Sequence, residues 1–216
     1  MSSFREAMDF FNRQYEDLKS IVEEKSTVIC KLETDNALLQ STVTDLSNRL
    51  CAVEQHMRGS NLEINGIPEH RTENLVNTVI QLSRSIDNPV SEDDILHTTR
   101  VAKLMKQNDK PRTVIVKMRS PRLRDSILAA VVRFNKKNAT DKLNSHHLGL
   151  AGTITPVFVA EHLTPNNEAL HAATRKKCKD VNFKFVWVRN GRIYVRKDES
   201  CSAITIRNMD SLKLLT

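Results

Sequence analysis

Metal, nucleotide and membrane signatures are all missing from this sequence. Its four cysteines, Cys30, Cys51, Cys178 and Cys201, are widely spaced, and no two stand in C-x-x-C spacing. That argues against a structural zinc site or a disulfide framework and fits a reducing compartment. The seven histidines form no ligand cluster with them, and the His146-His147 pair falls in a polar stretch and reads as surface. No G-x-x-x-x-G-K-S/T, G-x-G-x-x-G or H-E-x-x-H run occurs. Cys178 stands between lysines that can depress a thiol, but without a base or a helix N-terminus beside it the reading is an ordinary thiol. Glu92-Asp93-Asp94 follows Ser91 as first-turn acids, not as a catalytic cluster. An enzyme is therefore not expected, and neither a cofactor, a metal nor a small-molecule substrate is called for. The longest strictly apolar run, Ile127 to Val132, is far short of the roughly 20 residues a spanning helix needs. With acids and bases mixed from Arg5 onward, no signal peptide is visible. A cytoplasmic location, with access to the nucleus, is the expectation.

Negative charge is scarce in one half of the chain only. Residues 1–57 hold 6 Lys/Arg and 10 Asp/Glu, whereas residues 100–197 hold 22 bases against 6 acids. An acidic arm attached to a basic body points to a polyanionic partner, set against the plainer reading of a solvated surface.

Proline and glycine are absent from residues 4–57, and the apolar residues there recur at 3-4 spacing. One heptad register places Met8, Tyr15, Val22, Ile29, Asn36, Val43, Leu50 and Met57 at a. The same register places Phe4, Phe11, Leu18, Lys25, Leu32, Leu39, Leu46 and Val53 at d. Only Lys25 and Asn36 interrupt the seam. A seven-residue repeat of this length specifies a supercoil with a partner, because a lone helix would leave its stripe in water. One long helix folded back on the rest of the chain is the competing reading. Asn36 at a favours two strands. Ala7, Ile21 and Val28 at g widen the apolar face, and Arg49-Leu50-Cys51-Ala52-Val53-Glu54 would let Arg49 reach Glu54 of a neighbour in a trimer. The expectation is a homo-oligomer, with a homotrimer favoured over a homodimer.

The remainder predicts an α+β body. Gly59 ends the coil, so the coiled coil covers 1–58. Asn61–Ile67 alternates as a strand, and Thr72 can cap a helix presenting Leu75, Val79, Leu82 and Ile86. Ser91 can cap a short turn before an edge strand at Arg100–Lys103. Arg112–Ser120 reads as a strand, and Ser120-Pro121 as the N-cap and first residue of a helix presenting Leu123, Ile127, Val131 and Phe134. Residues 138–153 read as a loop and Val157–Ala160 as a last strand. This order over 61–160 is the split β-α-β plan of ferredoxin-like domains, RNA-recognition motifs among them. Residues 161–216 form a second unit: a helix from Thr164-Pro165 to about Asp180, a hairpin at Asn190-Gly191, and a strand over Ala203–Arg207.

A two-residue turn at Asn190-Gly191 fixes the faces of that hairpin. Val186, Val188, Ile193 and Val195 share one face; Phe185, Trp187, Arg189, Arg192, Tyr194 and Arg196 share the other. Rings beside guanidinium groups suit unpaired bases and phosphates, with stacking contributing about 1–3 kcal/mol per base. The alternative is a Trp187–Tyr194 cross-strand pair buried against its neighbour, with the arginines merely solvated. Arg175, Lys176 and Lys179 on the preceding helix are further candidate phosphate contacts. A second candidate surface comprises Lys117, Arg119, Arg122, Arg124, Arg133, Lys136 and Lys137. The central strands LEING and VIVKM carry no aromatic, so backbone-dominated, salt-sensitive binding is expected over base-specific readout.

Two stretches carry a family resemblance. NLEINGIPE, ENL, RVAK and KPRTVIVKMRSPRLRD resemble the RNA-recognition-like domain of the first open-reading-frame proteins of LINE-type retrotransposons. LTPNNEALHAATRKKCKDVNFKFVWVRNGRIYVRKDE resembles the C-terminal domain shared by insect members of that group and the baculovirus few-polyhedra (FP) protein. Coil, central domain and C-terminal domain follow in the same order. The resemblance implies an oligomer that coats single-stranded RNA or DNA as a nucleic-acid chaperone within a retrotransposon ribonucleoprotein. For the viral relatives it implies a role in nucleocapsid trafficking and envelopment. Many of the insect proteins carry a zinc finger ahead of the coil, and this sequence has no such spacing.

Overall fold

The computed structural model describes residues 2–102 and 110–215, with side chains for all of these except residues 2, 3, 5 and 6. It is a mixed α+β chain with a long N-terminal helix and two small sheets. It divides into two units, residues 1–50 and 51–216.

The first unit lies within one uninterrupted helix, α1 (Ser2–Met57), whose last turns belong to the second unit. With no glycine or proline to stop it, the helix runs until Gly59. Phe11, Leu18, Val22, Ile29, Leu32, Leu39, Val43 and Leu46 are each more than half exposed, so the seam stays uncovered within the single chain. Asn36 accepts a hydrogen bond from the Gln40 side chain at 2.8 Å. Arg49 lies 3.6 Å from Asp45 one turn earlier in its own helix. No helix among the described residues is long and apolar enough to cross a membrane.

In the second unit, β1 (Asn61–Asn65), α2 (Leu75–Ser85), β2 (Ile95–Arg100), β3 (Val114–Met118), α3 (Pro121–Lys137) and β4 (Phe158–Glu161) build a four-stranded sheet. Its order is β2-β3-β1-β4 with every adjacent pair antiparallel, so two β-α-β units interleave. Period-two alternation sends Leu62, Ile64, Val114, Val116 and Met118 to one face, where they meet Val79, Leu82 and Ile86 of α2 and Ile127, Ala130 and Val131 of α3. Gly66 ends β1 at φ 93°, and a Cβ there would collide with the carbonyl oxygen of Pro156.

Three local expectations shift. α2 is capped by Asn74, whose side chain accepts from Asn77 N at 3.0 Å, and not by Thr72. The start is displaced because Glu69 and Glu73 are held by Arg112 and Arg100, which fix the approach to the helix. Arg100 uses all five of its donors there: on both oxygens of Glu73 (2.7 and 2.6 Å) and on the carbonyls of Ile67, Pro68 and Arg112. These contacts hold the Glu73 carboxyl below its ordinary pKa. The edge strand begins at Ile95 and ends at Arg100; Lys103 lies outside the described residues. Within the stretch expected as a loop, Ser145–Leu148 forms one 3₁₀ turn capped by Asn144, which drives Leu143 and Leu148 into the core.

A second, smaller core belongs to α4 (Pro165–Asp180), β5 (Phe185–Arg189), β6 (Arg192–Arg196) and β7 (Ile204–Ile206). Thr164 caps α4, accepting from Asn167 N at 3.3 Å, with Pro165 as its first residue. Leu170 and Cys178 of α4 pack on Ile193 and Val195, the aliphatic face of the hairpin, with Val186 and Val188 beside them. Burial pushes the Cys178 thiol up, opposite to the effect its lysine neighbours suggested. A capped turn at Met209–Leu214 closes the cluster by bringing in Leu212 and Leu215.

The two cores meet on a polar junction. Glu161, at the end of β4, accepts from the amides of Asn190 (2.9 Å) and Gly191 (2.7 Å), the hairpin turn itself. Arg124 of α3 lies 3.7 Å from Glu161 and donates to Asn190 Oδ1 (2.8 Å) and Gly59 O (2.6 Å). Gln55, near the end of α1, accepts from Thr164 N and Asn167 Nδ2 at 3.0 Å each and donates to His162 O at 3.1 Å. Asn167 also donates to Gly191 O. Asn190 and Gly191 both have positive φ (52° and 70°), as a type I′ turn requires. A Cβ at Gly191 would also overlap the Gln55 side chain.

Arg124 was expected on a nucleic-acid surface; only 2% of its side chain is exposed, and its donors are shared between this junction and the neighbouring Asp125. Arg124→Met therefore leaves Glu161 buried without its cation and is expected to cost about 3–5 kcal/mol. Urea denaturation would read this as a lowered midpoint; a variant within 1 kcal/mol of the parent, at about the limit for exposed pairs, would contradict it.

Candidate nucleic-acid interface

β6 pairs with β5 in the register Phe185↔Arg196, Val186↔Val195, Trp187↔Tyr194, Val188↔Ile193 and Arg189↔Arg192. Since α4 covers the aliphatic face, the other face carries the aromatic and guanidinium groups. The Trp187 and Tyr194 rings stack on each other, with centroids 5.6 Å apart and planes within 16°. Both are half-buried and form the cross-strand pair without being sealed against a neighbour. Each uses one π-face on the other, which leaves the outer face of each as the surface a base could meet. The Arg196 guanidinium sits 4.8 Å from the centroid of Phe185, a cation–π contact, and its Nε is enclosed without an acceptor. Arg189 and Arg192 are exposed opposite one another at the turn. A cleft of about 610 Å³ opens among Trp187, Arg189, Asn190, Arg192, Tyr194 and Ala203.

β7 adds residues that the sequence reading passed over. Its register, Tyr194↔Thr205 and Ile193↔Ile206, ends one residue before exposed Arg207, which follows β7 at the Arg192 end of β6. The signal available was the alternation of Ala203-Ile204-Thr205-Ile206-Arg207, which puts Arg207 on the face opposite Ile206.

The other basic candidates are not gathered on this face. Arg175, Lys176 and Lys179 are exposed on α4, which packs against the opposite side of the hairpin. The middle sheet divides its set in the same way. Lys117 is exposed on the sheet face away from the helices, in a cross-strand row with His97 and Asn61. Arg122, Arg133, Lys136 and Lys137 are exposed on α3, in the helical layer. The single second surface expected from sequence is thus two surfaces, separated by the sheet, with Arg124 removed from both. Arg119 is exposed but leans back to Asp93 O at 2.7 Å, with Asp94 3.9 Å away. The open sheet face is polar, with Glu63 and Asn65 bonded to each other and Thr113 bonded to Asn65. Its large aromatic is Phe158 on β4, 64% exposed and paired with Asn65. Among the described residues, no group of three His, Cys, Asp or Glu is placed to hold a metal ion.

His162 ends the row on that face. Arg58 Nη1 lies 3.1 Å from its Nε2, and the Asn61 Nδ2 lies 3.2 Å from its Nδ1, while Asn61 Oδ1 is enclosed without a partner. Turning the Asn61 amide end for end suits both ring nitrogens: Nδ1–H donates to Asn61, and Nε2 accepts from Arg58. That arrangement requires a neutral ring. Burial, then the Arg58 charge, holds the His162 pKa below its ordinary value. His171 is lowered likewise, by burial and Arg175.

Residues 164–216 match the family model described as baculovirus FP protein domain 2. The match begins at Thr164, the cap of α4, and takes in the whole second sheet. No curated protein matches the chain.

For both histidines the folded pKa lies below the unfolded one, so the stability they contribute is complete above about pH 6.5 and is lost as pH falls below it. The urea midpoint is expected to drop between pH 7 and pH 5.5, and the drop is expected to shrink in a His162→Gln, His171→Gln double variant. An identical drop in parent and variant would contradict this.

Proposed function

We propose that this chain is a non-enzymatic, oligomeric protein that binds single-stranded RNA or DNA. The observation that carries the reading is the hairpin face, where the Trp187–Tyr194 pair lies between Arg196 and the facing pair Arg189 and Arg192, with no acid on that face of the hairpin. Like charges placed opposite each other are unfavourable unless a counter-anion joins them, and a phosphate backbone supplies one. In this reading the middle sheet is an RNA-recognition-motif-like domain, a view supported by its element order and strand order. Its polar centre, lacking stacked aromatics, suits backbone contact over base readout. The exposed seam of α1 is a coiled-coil oligomerisation element, with three strands favoured over two. Together these fit a nucleic-acid chaperone of a retrotransposon ribonucleoprotein, held in the cytoplasm with access to the nucleus.

Fluorescence anisotropy with single- and double-stranded RNA and DNA across a salt series tests the first part. Single strands are expected to bind more tightly, with affinity falling steeply as salt rises. The R189A/R192A/R196A variant is expected to flatten the salt slope by about two to three. Full affinity in that variant would place the site elsewhere. Oligomerisation is tested by sedimentation equilibrium: a Leu39→Asp, Leu46→Asp variant is expected to fall to the 24.6 kDa of one chain. A parent that already sediments at that mass would remove the coiled-coil element.

The second reading is a protein-interaction adaptor in viral nucleocapsid trafficking, envelopment or assembly. The match of residues 164–216 to a viral protein domain favours it. Absence of binding to any strand at low salt would decide for the adaptor.

A further inference from the structure

Laid out by register, the hairpin face is a grid of three rows crossing β5, β6 and β7. Phe185, Arg196 and Ala203 form one row, and Trp187, Tyr194 and Thr205 the next. Arg189 and Arg192 form the last, next to the Asn190-Gly191 turn, and Arg207 follows the end of β7 on that side. Neighbouring strands are about 4.8 Å apart, so the paired Arg189 and Arg192 positions adjoin, with Arg207 following where β7 ends. All three arginines are exposed, and among the described residues none of them is ion-paired.

Three acids that flank these strands are already committed. Glu161 holds the two turn amides and Arg124. Asp210 is paired with Lys213 at 2.6 Å. Asp198, at the opposite end of β6, is drawn down to about 2 by hydrogen bonds from Ser200 and Cys201. A group of three cations is therefore left for a ligand. An internal phosphodiester brings a single negative charge, whereas a phosphomonoester brings about −1.5 to −2 and three acceptor oxygens. The row is also the last one before a turn anchored on β4 and α3. A strand laid along the face meets the middle domain at its arginine end, which suits the end of a chain over a continuing backbone. The arginine row lies two positions along from the ring row, about 6.8 Å on the strand. The cleft of about 610 Å³ lined by Arg189, Arg192, Trp187 and Tyr194, with Arg207 outside its lining, is of a size to take one nucleotide.

We infer that the Arg189–Arg192–Arg207 group binds a terminal phosphate group of a single strand, with the terminal base against Trp187 and Tyr194. This rests on the single-strand reading above and sharpens it to strand ends.

The test uses the full chain and single strands of one sequence, labelled internally. The strands are unphosphorylated, 5′-monophosphorylated, 5′-triphosphorylated or 3′-phosphorylated, and a further unphosphorylated strand is one nucleotide longer. A terminal phosphate at one end is expected to tighten binding about tenfold, as new charge-assisted hydrogen bonds would. Which end responds identifies the source of the phosphate. Arg207→Ala is expected to remove most of that gain; Arg207→Lys, which keeps the charge but not the fork, should keep part of it. Thermal melts monitored by circular dichroism establish that both variants fold. Equal affinity for all strands, or a gain no larger than the longer strand gives, overturns the inference and leaves the single-strand reading standing. No binding to any strand overturns both.

Discussion

Glu161 carries its carboxylate where only 8% of the side chain meets solvent. A charge so placed must be answered within the protein, and two turn amides and the Arg124 guanidinium answer it. That answer has structural consequences beyond one ion pair. The amides belong to Asn190 and Gly191, so the carboxylate fixes the tip of the hairpin whose outer face carries the rings and arginines. Arg124 belongs to α3 and also grips Gly59 O, which ties the end of α1 to the same point. Gln55 and Asn167 complete the closure from the helical side. Two small cores, each built from one sheet and its helices, are thereby held in register by polar contacts that tolerate no slack. A buried charge network is a poor source of net stability but a strong source of specificity, because any other docking leaves Glu161 unpaired.

The same network shows where sequence reasoning reaches and where it stops. Asn190-Gly191, Ser120-Pro121 and Thr164-Pro165 are local devices whose geometry is decided by two residues, and each appears in the structure as its chemistry dictates. The β5–β6 register followed from the turn, and the inward faces of β1 and β3 from period-two alternation. Arg124 could not be read that way. Its neighbours in sequence are other arginines and an aspartate, and what buries it comes from Gly59, Glu161 and Asn190. The start of α2 was missed for a similar reason: Thr72 is a sound cap by type, but Arg100 and Arg112 hold the preceding acids so that the helix begins after Asn74. Arg207 was legible in principle. Only the pairing of β7 with β6 shows that the chain leaves the sheet at the Arg192 end.

Net charge along the chain is a weaker guide than it first looks. The excess of bases between residues 100 and 197 is real, yet the fold distributes it over both sides of each sheet and consumes part of it. Arg100 and Arg124 are internal ties, and Arg112 is held by Glu69. What remains is a basic field on several surfaces with one place where cations and rings coincide. A broad field raises encounter rates and nonspecific affinity; a local grid decides how the strand is held once it arrives.

The grid is small, and that bears on why an exposed seam would accompany it. One ring pair and a few arginines give a face whose affinity for a flexible strand is modest, since each added phosphate contact is discounted by salt. Copies joined through α1 would present two or three such faces to one strand. The second contact then becomes intramolecular, and avidity rises by orders of magnitude with no new chemistry on the face. In the proposed reading the acidic charge of residues 1–57 is consistent with this division, because an arm carrying 10 acids against 6 bases does not compete for the strand. Its heptads are free to serve association while the basic body serves binding.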